Sequence, residues 1–162
     1  MKKYMLNSLF VAIIMTLAAS CQPAQKESEK DPIALKDTIV SPNIKVESGY
    51  ADVNGLKMYY EVHQPTTDIK STPIVLIHGS FMTIPLNWSA TIPLLAKDRK
   101  VIVAEMQGHG RTKDTSRKFS YEGMADDVSA LLKHLKIDSA DILGYCMGGG
   151  VAFQVAARWP RN

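Results

Sequence analysis

The sequence is poor in the features that mark several common classes of protein. Two cysteines in 162 residues make no disulfide framework. The four histidines stand apart, without the spacing a zinc site needs, and no metal is expected. No G-x-G-x-x-G or Walker pattern occurs, so neither a nucleotide site nor a cofactor is expected. The formal charge is only +3, and Lys2 and Lys3 supply two of those units; without them seventeen basic side chains face sixteen acidic ones. Aromatics are 7% of residues and are not interleaved with a basic patch, which argues against nucleic acid as a partner. There is no internal repeat. What the chain does have is an apolar content of 46%, enough for one packed domain.

The amino terminus reads as an export signal. Lys2 and Lys3 precede an apolar run over residues 9–19, too short for a comfortable membrane span, followed by Ala18-Ala19-Ser20-Cys21. Residues 1–20 are expected to be a signal peptide. Cys21 directly after small residues resembles a bacterial lipobox, which implies an acylated cysteine and an exported, membrane-anchored lipoprotein. Residues 21–47 are rich in Lys, Glu, Asp, Ser and Pro and show no sustained apolar period, as in a flexible tether. If Cys21 is acylated, Cys146 is left as a free thiol.

Residues 48–162 carry the folding pattern. Asn54-Gly55 between two apolar stretches, 50–53 and 56–62, is a strong hairpin signal, and Met58, Tyr60 and Val62 alternate as on a half-buried strand. Residues 73–78 and 100–104 are continuous apolar runs, the mark of parallel strands covered on both faces. Met124, Val128, Leu131, Leu132 and Leu135 fall at helical spacing, with Ser120 placed to cap. Gly148, Ala152 and Ala156 lie four apart on a further helix, as a small-residue ridge against a sheet. The order is a β-hairpin followed by βαβαβα: an α/β fold with a mostly parallel sheet.

The most informative stretch is Gly144-Tyr145-Cys146-Met147-Gly148-Gly149-Gly150, which follows the short apolar strand Asp141-Ile142-Leu143. A nucleophile between glycines at a strand-to-helix turn is held in a strained conformation that exposes its side chain over the sheet. Gly144 and Gly148 let strand and helix approach closely. The helix N-terminus then offers N–H groups and a positive dipole end to a developing oxyanion. A lone cysteine is more often a buried structural residue; its place at the centre of this turn favours an exposed, reactive thiol.

From about Gly49 onward the chain resembles the N-terminal half of an α/β-hydrolase of the esterase, lactonase and perhydrolase type. Five stretches carry the likeness. Ile74-Val75-Leu76-Ile77-His78-Gly79-Ser80 resembles the third strand and oxyanion loop, and Trp88 with Ile92-Pro93-Leu94-Leu95-Ala96 the first helix. Val101-Ile102-Val103-Ala104-Glu105 and Gly108-His109-Gly110-Arg111-Thr112 resemble the fourth strand and its glycine turn. The helical pattern after Ser120 and the cysteine elbow complete the series. The elbow also resembles that of dienelactone hydrolases, which use cysteine, but the two histidine–glycine loops fit the esterase branch better.

The resemblance implies hydrolysis of small carboxylic esters or lactones, with Cys146 at the nucleophile position. It places the oxyanion hole at the backbone N–H groups of Met147 and Ser80, with Phe81 the near alternative. His78 and His109 are implied to shape their loops rather than to act as bases, Glu105 resembles a turn residue, and His63 and His134 read as solvent-facing. In this family the acid and the histidine follow the nucleophile in chain order, and no residue after the elbow helix matches either. The expectation is a truncated chain without its acid and histidine, its last strand an open edge prone to self-association. The alternative is a non-catalytic, lipid-anchored remnant or binding protein with the hydrolase shape.

Overall fold

The computed structural model describes residues 43–68 and 70–159, so the expected signal, Cys21 and most of the tether lie outside the described residues. Strands β1 (Ile44–Val53) and β2 (Leu56–Pro65) form the expected hairpin. Asn54 and Gly55 take φ of 47° and 79°, the two successive positive values that match the twist of paired strands. The strand begins earlier than its side chains reveal. Lys45, Val46, Glu47 and Ser48 are exposed, so they show no apolar period, yet they stand in register with Gln64, His63, Val62 and Glu61. The folded part therefore starts inside the stretch read as tether, before the boundary at residue 48.

Strands β3 (Ile74–Ile77) and β4 (Val101–Ala104) are buried at every position, as their continuous apolar runs require. Strand β5 (Asp141–Gly144) joins the far side. The order is β1-β2-β4-β3-β5, with β1–β2 and β2–β4 antiparallel and β4–β3 and β3–β5 parallel. The three strands after the hairpin thus form the parallel part, and the hairpin makes the whole sheet mixed. Among the described residues β5 pairs with β3 alone, and its Leu143 is exposed.

Helices cover both faces. On one side lie α1 (Ile84–Trp88) and α2 (Ile92–Leu95), which bury Ile84, Trp88 and Ile92 against Ile74, Leu76, Val101 and Val103. The single helix expected around residues 88–96 is broken in two. A proline sits in the first turn of each piece, and Pro93 has no N–H with which to continue a helix from α1. On the other side are α3 (Tyr121–His134) and α4 (Met147–Arg158). The Ser120 hydroxyl caps α3, accepting from Gly123 N at 3.1 Å. Met124, Val128 and Leu131 pack from α3, and Met147, Val151 and Val155 from α4, onto Val75, Ile77, Ile102 and Ala104. The expected ridge of Gly148, Ala152 and Ala156 is therefore out of phase: Gly148 is buried but Ala156 is exposed. The turn at Cys146 fixes where the helix begins, and so which residues face the sheet.

One buried ion pair locks hairpin to helix. Asp127, fully buried on α3, accepts from Arg117 at 2.6 Å and from Asn54 Nδ2 of the hairpin turn at 3.0 Å. This clamp sets the loop before α3, which forms one wall of the site.

Candidate active site

Cys146 joins β5 to α4 with φ 51° and ψ −116°, a conformation that costs an L-residue on the order of 1–3 kcal/mol. Its surroundings impose it. Tyr145 N donates to Ile77 O at 3.0 Å, tying the turn to β3, and Gly148 N and Gly149 N donate to Tyr145 O and Cys146 O at 2.8 and 2.9 Å. The glycines serve as their spacing predicts. A Cβ on Gly144 would run into the Gly148 carbonyl, and one on Gly148 into the carbonyls of Ile77 and His78. The thiol is exposed and free. The amide of Met147, at the start of α4, has no hydrogen-bond partner among the described residues.

The loop after β3 comes up beside this turn. A Cβ on Gly79 would stand 3.3 Å from the Cys146 Cβ and 2.9 Å from the Tyr145 ring, so only glycine lets the loop lie so near Cys146. Gly79 N is held by Asn87 Oδ1 at 2.9 Å, and Met82 N donates to Gly79 O at 3.3 Å to close the turn. Phe81 occupies the third turn position at φ 59°, with its ring 95% exposed. The amides of Ser80 and Phe81 both lack partners among the described residues. Each is a donor available to an oxyanion, so geometry admits Ser80, the residue the resemblance selects, and its neighbour.

The histidines divide by their bonds. His78 is fully buried; Met106 N donates to its Nε2 at 3.0 Å, which puts the proton on Nδ1, where it is donated to Gly79 O at 2.8 Å. Burial holds its pKa below the ordinary value. With both nitrogens committed, it shapes the loop and is no base. His109 lies 2.8 Å through Nδ1 from Gln107 O, and its ring packs on His78 at 4.9 Å. Half-buried between glycines 108 and 110, both at positive φ, it lines the cavity, a role its sequence setting did not disclose. His63 is largely buried rather than solvent-facing, because Glu61 holds its Nε2 at 2.9 Å across one strand. His134 is exposed, as expected.

Glu105 is a buried clamp. It accepts from Ile84 N, Arg111 N and the Arg111 guanidinium, at 3.3, 2.6 and 3.0 Å. Burial pushes its carboxyl up, but the bonds from Arg111 and Ile84 outweigh that and leave it below the ordinary range. A Cβ on Gly110 would collide with this carboxylate, and Arg111 lies 3.6 Å over the Tyr59 ring. The clamp fixes the glycine turn against α1. Sequence reasoning placed Glu105 at the turn but had no signal for its partners.

Between the loop after β3, the glycine turn and the start of α4 opens a cavity of about 650 Å³, lined in part by Ser80, Phe81, Met82, His109, Phe119 and Met147. That volume suits a small organic molecule. Among the described residues no side chain hydrogen-bonds the Cys146 thiol.

Residues 72–162, more than half of the chain, match the model of the alpha/beta hydrolase fold family. The chain is 38% identical over 91 residues to the dihydrolipoyllysine-residue acetyltransferase component of the acetoin cleaving system of Pseudomonas putida, covering 56% of this chain and 24% of that protein. It is 34% identical over 106 residues to the soluble epoxide hydrolase of Corynebacterium sp. (strain C12), covering 65% and 35%. The solved structure of Est816, described as an N-acyl homoserine lactone degrading enzyme, superposes with a TM-score of 0.62 at 30% identity, covering 70% of this chain and 42% of that one. The chain thus spans well under half the length of these proteins. Its matched residues, sheet order and cysteine elbow agree: the chain belongs to the alpha/beta hydrolase fold family.

Proposed function

We propose that Cys146 is the nucleophile of a site that hydrolyses small carboxylic esters or lactones. The observation that carries this reading is the elbow itself: an exposed thiol at φ 51°, beside the unbonded Met147 amide and close to the loop of Ser80. Attack of the thiolate on the ester carbonyl forms the C–S bond and places negative charge on the carbonyl oxygen. The N–H groups of Met147 and Ser80 donate to that oxyanion. Collapse expels the alkoxide and leaves a thioester on Cys146; water then adds to it, releasing the acid and restoring the thiol. Relatives described as an epoxide hydrolase and as a lactone-degrading enzyme support hydrolytic chemistry on small molecules.

The second step needs a base. Among the described residues no side chain hydrogen-bonds the thiol, and the family order places acid and histidine after the elbow helix. In this proposal the described residues supply nucleophile and oxyanion donors, and activation of water comes from outside them. The same observation favours the second reading, a lipid-anchored protein that keeps the hydrolase shape and binds without turnover. In both readings Cys21 anchors the protein to a bacterial membrane after export; equal fatty-acid labelling of wild type and Cys21→Ser would sink that part.

The test is p-nitrophenyl acetate. The expected result is a stoichiometric burst of p-nitrophenolate with a thioester on the Cys146 peptide, absent from Cys146→Ala. No acylation at all would favour the binding reading. Sustained turnover that disappears in Cys146→Ala would uphold Cys146 as the nucleophile but place a base within this chain, and the claim that activation of water comes from outside the described residues would fall.

A further inference from the structure

The cavity beside the elbow has one charged wall. Among the residues that line it, Asp114 is the one carboxylate and there is no Lys or Arg; Phe81, Met82, Phe119 and Met147 supply apolar surface, and Ser80, Thr83, Gln107 and His109 polar groups. Its position is built rather than incidental. Asp114 Oδ1 accepts from Gln107 Nε2 and from Thr115 N, both at 2.8 Å. Gln107 is buried, and its Oε1 is gripped by Arg117 Nε and Nη2 at 3.1 and 2.7 Å. Arg117 is in turn paired with the fully buried Asp127. The carboxylate thus hangs from a chain of bonds rooted in α3, and its Oδ2 has no partner among the described residues. The bond from Gln107, then that from Thr115, keep it ionised below the ordinary range. No Lys or Arg lines the cavity to offset it: Arg111 is engaged by Glu105 and Glu61, Arg117 by Asp127 and Gln107.

We infer that Asp114 is a specificity residue that makes this site accept neutral acyl groups and reject acyl groups bearing a carboxylate. The inference rests on acylation of Cys146 and adds the substrate class. An acyl chain entering past Ser80 and Met147 meets apolar surface suited to a hydrocarbon. A terminal carboxylate in the same cavity meets the like charge of Asp114, itself exposed to water. In water, two like charges about 4 Å apart repel by enough to slow acylation about fivefold.

The probes are p-nitrophenyl hexanoate and mono-p-nitrophenyl adipate, similar in length and differing in a terminal carboxylate. Acylation of the Cys146 peptide of the full chain is followed by mass spectrometry. Each rate is divided by that of N-acetylcysteinamide, a thiol without a carboxylate, which removes intrinsic reactivity. The expected neutral-to-anionic preference is about fivefold, falling when salt is raised to about 0.5 M. Asp114→Asn keeps an acceptor for Gln107 and Thr115 and should bring the ratio to that of the free thiol. Asp114→Glu, which keeps the charge, should retain a preference. A wild-type ratio equal to that of N-acetylcysteinamide, or one that persists in Asp114→Asn, overturns the inference while acylation itself stands. Failure of both esters to acylate Cys146 removes the proposed function and this inference with it.

Discussion

Gly148, Gly149 and Gly150 are consecutive in α4, yet alanine should have a different effect at each. In a helix, alanine is favoured over glycine by about 1 kcal/mol. At Gly148 that gain meets a wall: the new Cβ would overlap the carbonyls of Ile77 and His78, where β3 passes between β4 and β5. Overpacking costs about 1–3 kcal/mol and sometimes more. Backbone in the middle of a sheet cannot swing aside, so the upper end applies, and the expected net loss is about 2 kcal/mol. At Gly149 the nearest atom is the Gly144 carbonyl oxygen at 3.6 Å, an ordinary contact, so Gly149→Ala should gain about 0.5–1 kcal/mol. At Gly150 the Cβ would come within 2.7 Å of the Tyr121 ring, but that side chain is half exposed and can rotate. There the gain and the cost should cancel to within about 0.5 kcal/mol. Urea denaturation followed by circular dichroism gives the midpoints, with the slope checked for constancy. The expected order of stability is Gly149→Ala, then wild type with Gly150→Ala, then Gly148→Ala. A Gly148→Ala protein as stable as wild type would refute the claim that the approach of α4 to β3 constrains the elbow.

Stability should fall as pH drops. The folded pKa of His78 lies below 6.5, so the unfolded chain takes up its proton first and stability declines from about that pH downward. Glu61 and Glu105 lie below 4.5, so their contributions are complete above 4.5 and are lost as pH falls through the folded values. Urea midpoints at a series of pH values test this; a flat profile between pH 7 and 4 would contradict it, and Glu105→Gln should flatten the acidic part. Asp127→Ala strands the Arg117 charge and the Asn54 amide and should cost about 3 kcal/mol by the same denaturation assay; a loss under about 1 kcal/mol would mean that the clamp is not what fixes the loop. The side of β5 that meets no other strand among the described residues, with Leu143 exposed, should drive self-association, and a concentration-independent monomer in sedimentation velocity would count against that.

What was legible in the sequence was local. Asn54-Gly55 demands the positive φ values of a tight hairpin, Ser120 offers a cap, and glycines flank Cys146 at the spacing of a strand-to-helix turn. Each of these signals is written within a few residues. What escaped was long-range or a matter of phase. Asn54 and Asp127 are 73 positions apart, and no periodicity announces that one will hydrogen-bond the other. The anchoring of Glu105 across to Ile84, 21 residues back, is equally silent. The phase of α4 depends on a backbone angle at Cys146, so a reading by small residues chose Ala156 where packing chose Val155. The cavity follows from all of these and from none alone, which is why His109 and Asp114 became visible as its walls only in three dimensions.

The strained conformation of Cys146 is a property of the scaffold and not of cysteine. Its backbone angle is set by the bond of Tyr145 to β3, by the Gly148 contact, and by Met147, Val151 and Val155 seated in the core. A serine at the same position would be held in the same place, beside the same unbonded amides. The residue changes what is needed next. A thiol is appreciably nucleophilic near neutral pH without a partner, whereas a hydroxyl must be deprotonated by a base as it attacks. In the proposed reaction the two halves therefore make different demands: acylation asks for the thiol, the elbow and the backbone donors, and deacylation for an activated water. Cys146→Ser divides scaffold from nucleophile. It should leave the urea midpoint unchanged to within about 0.5 kcal/mol while abolishing the ester burst. A serine variant that acylated as fast as wild type would show that a base acts on this position from within the chain.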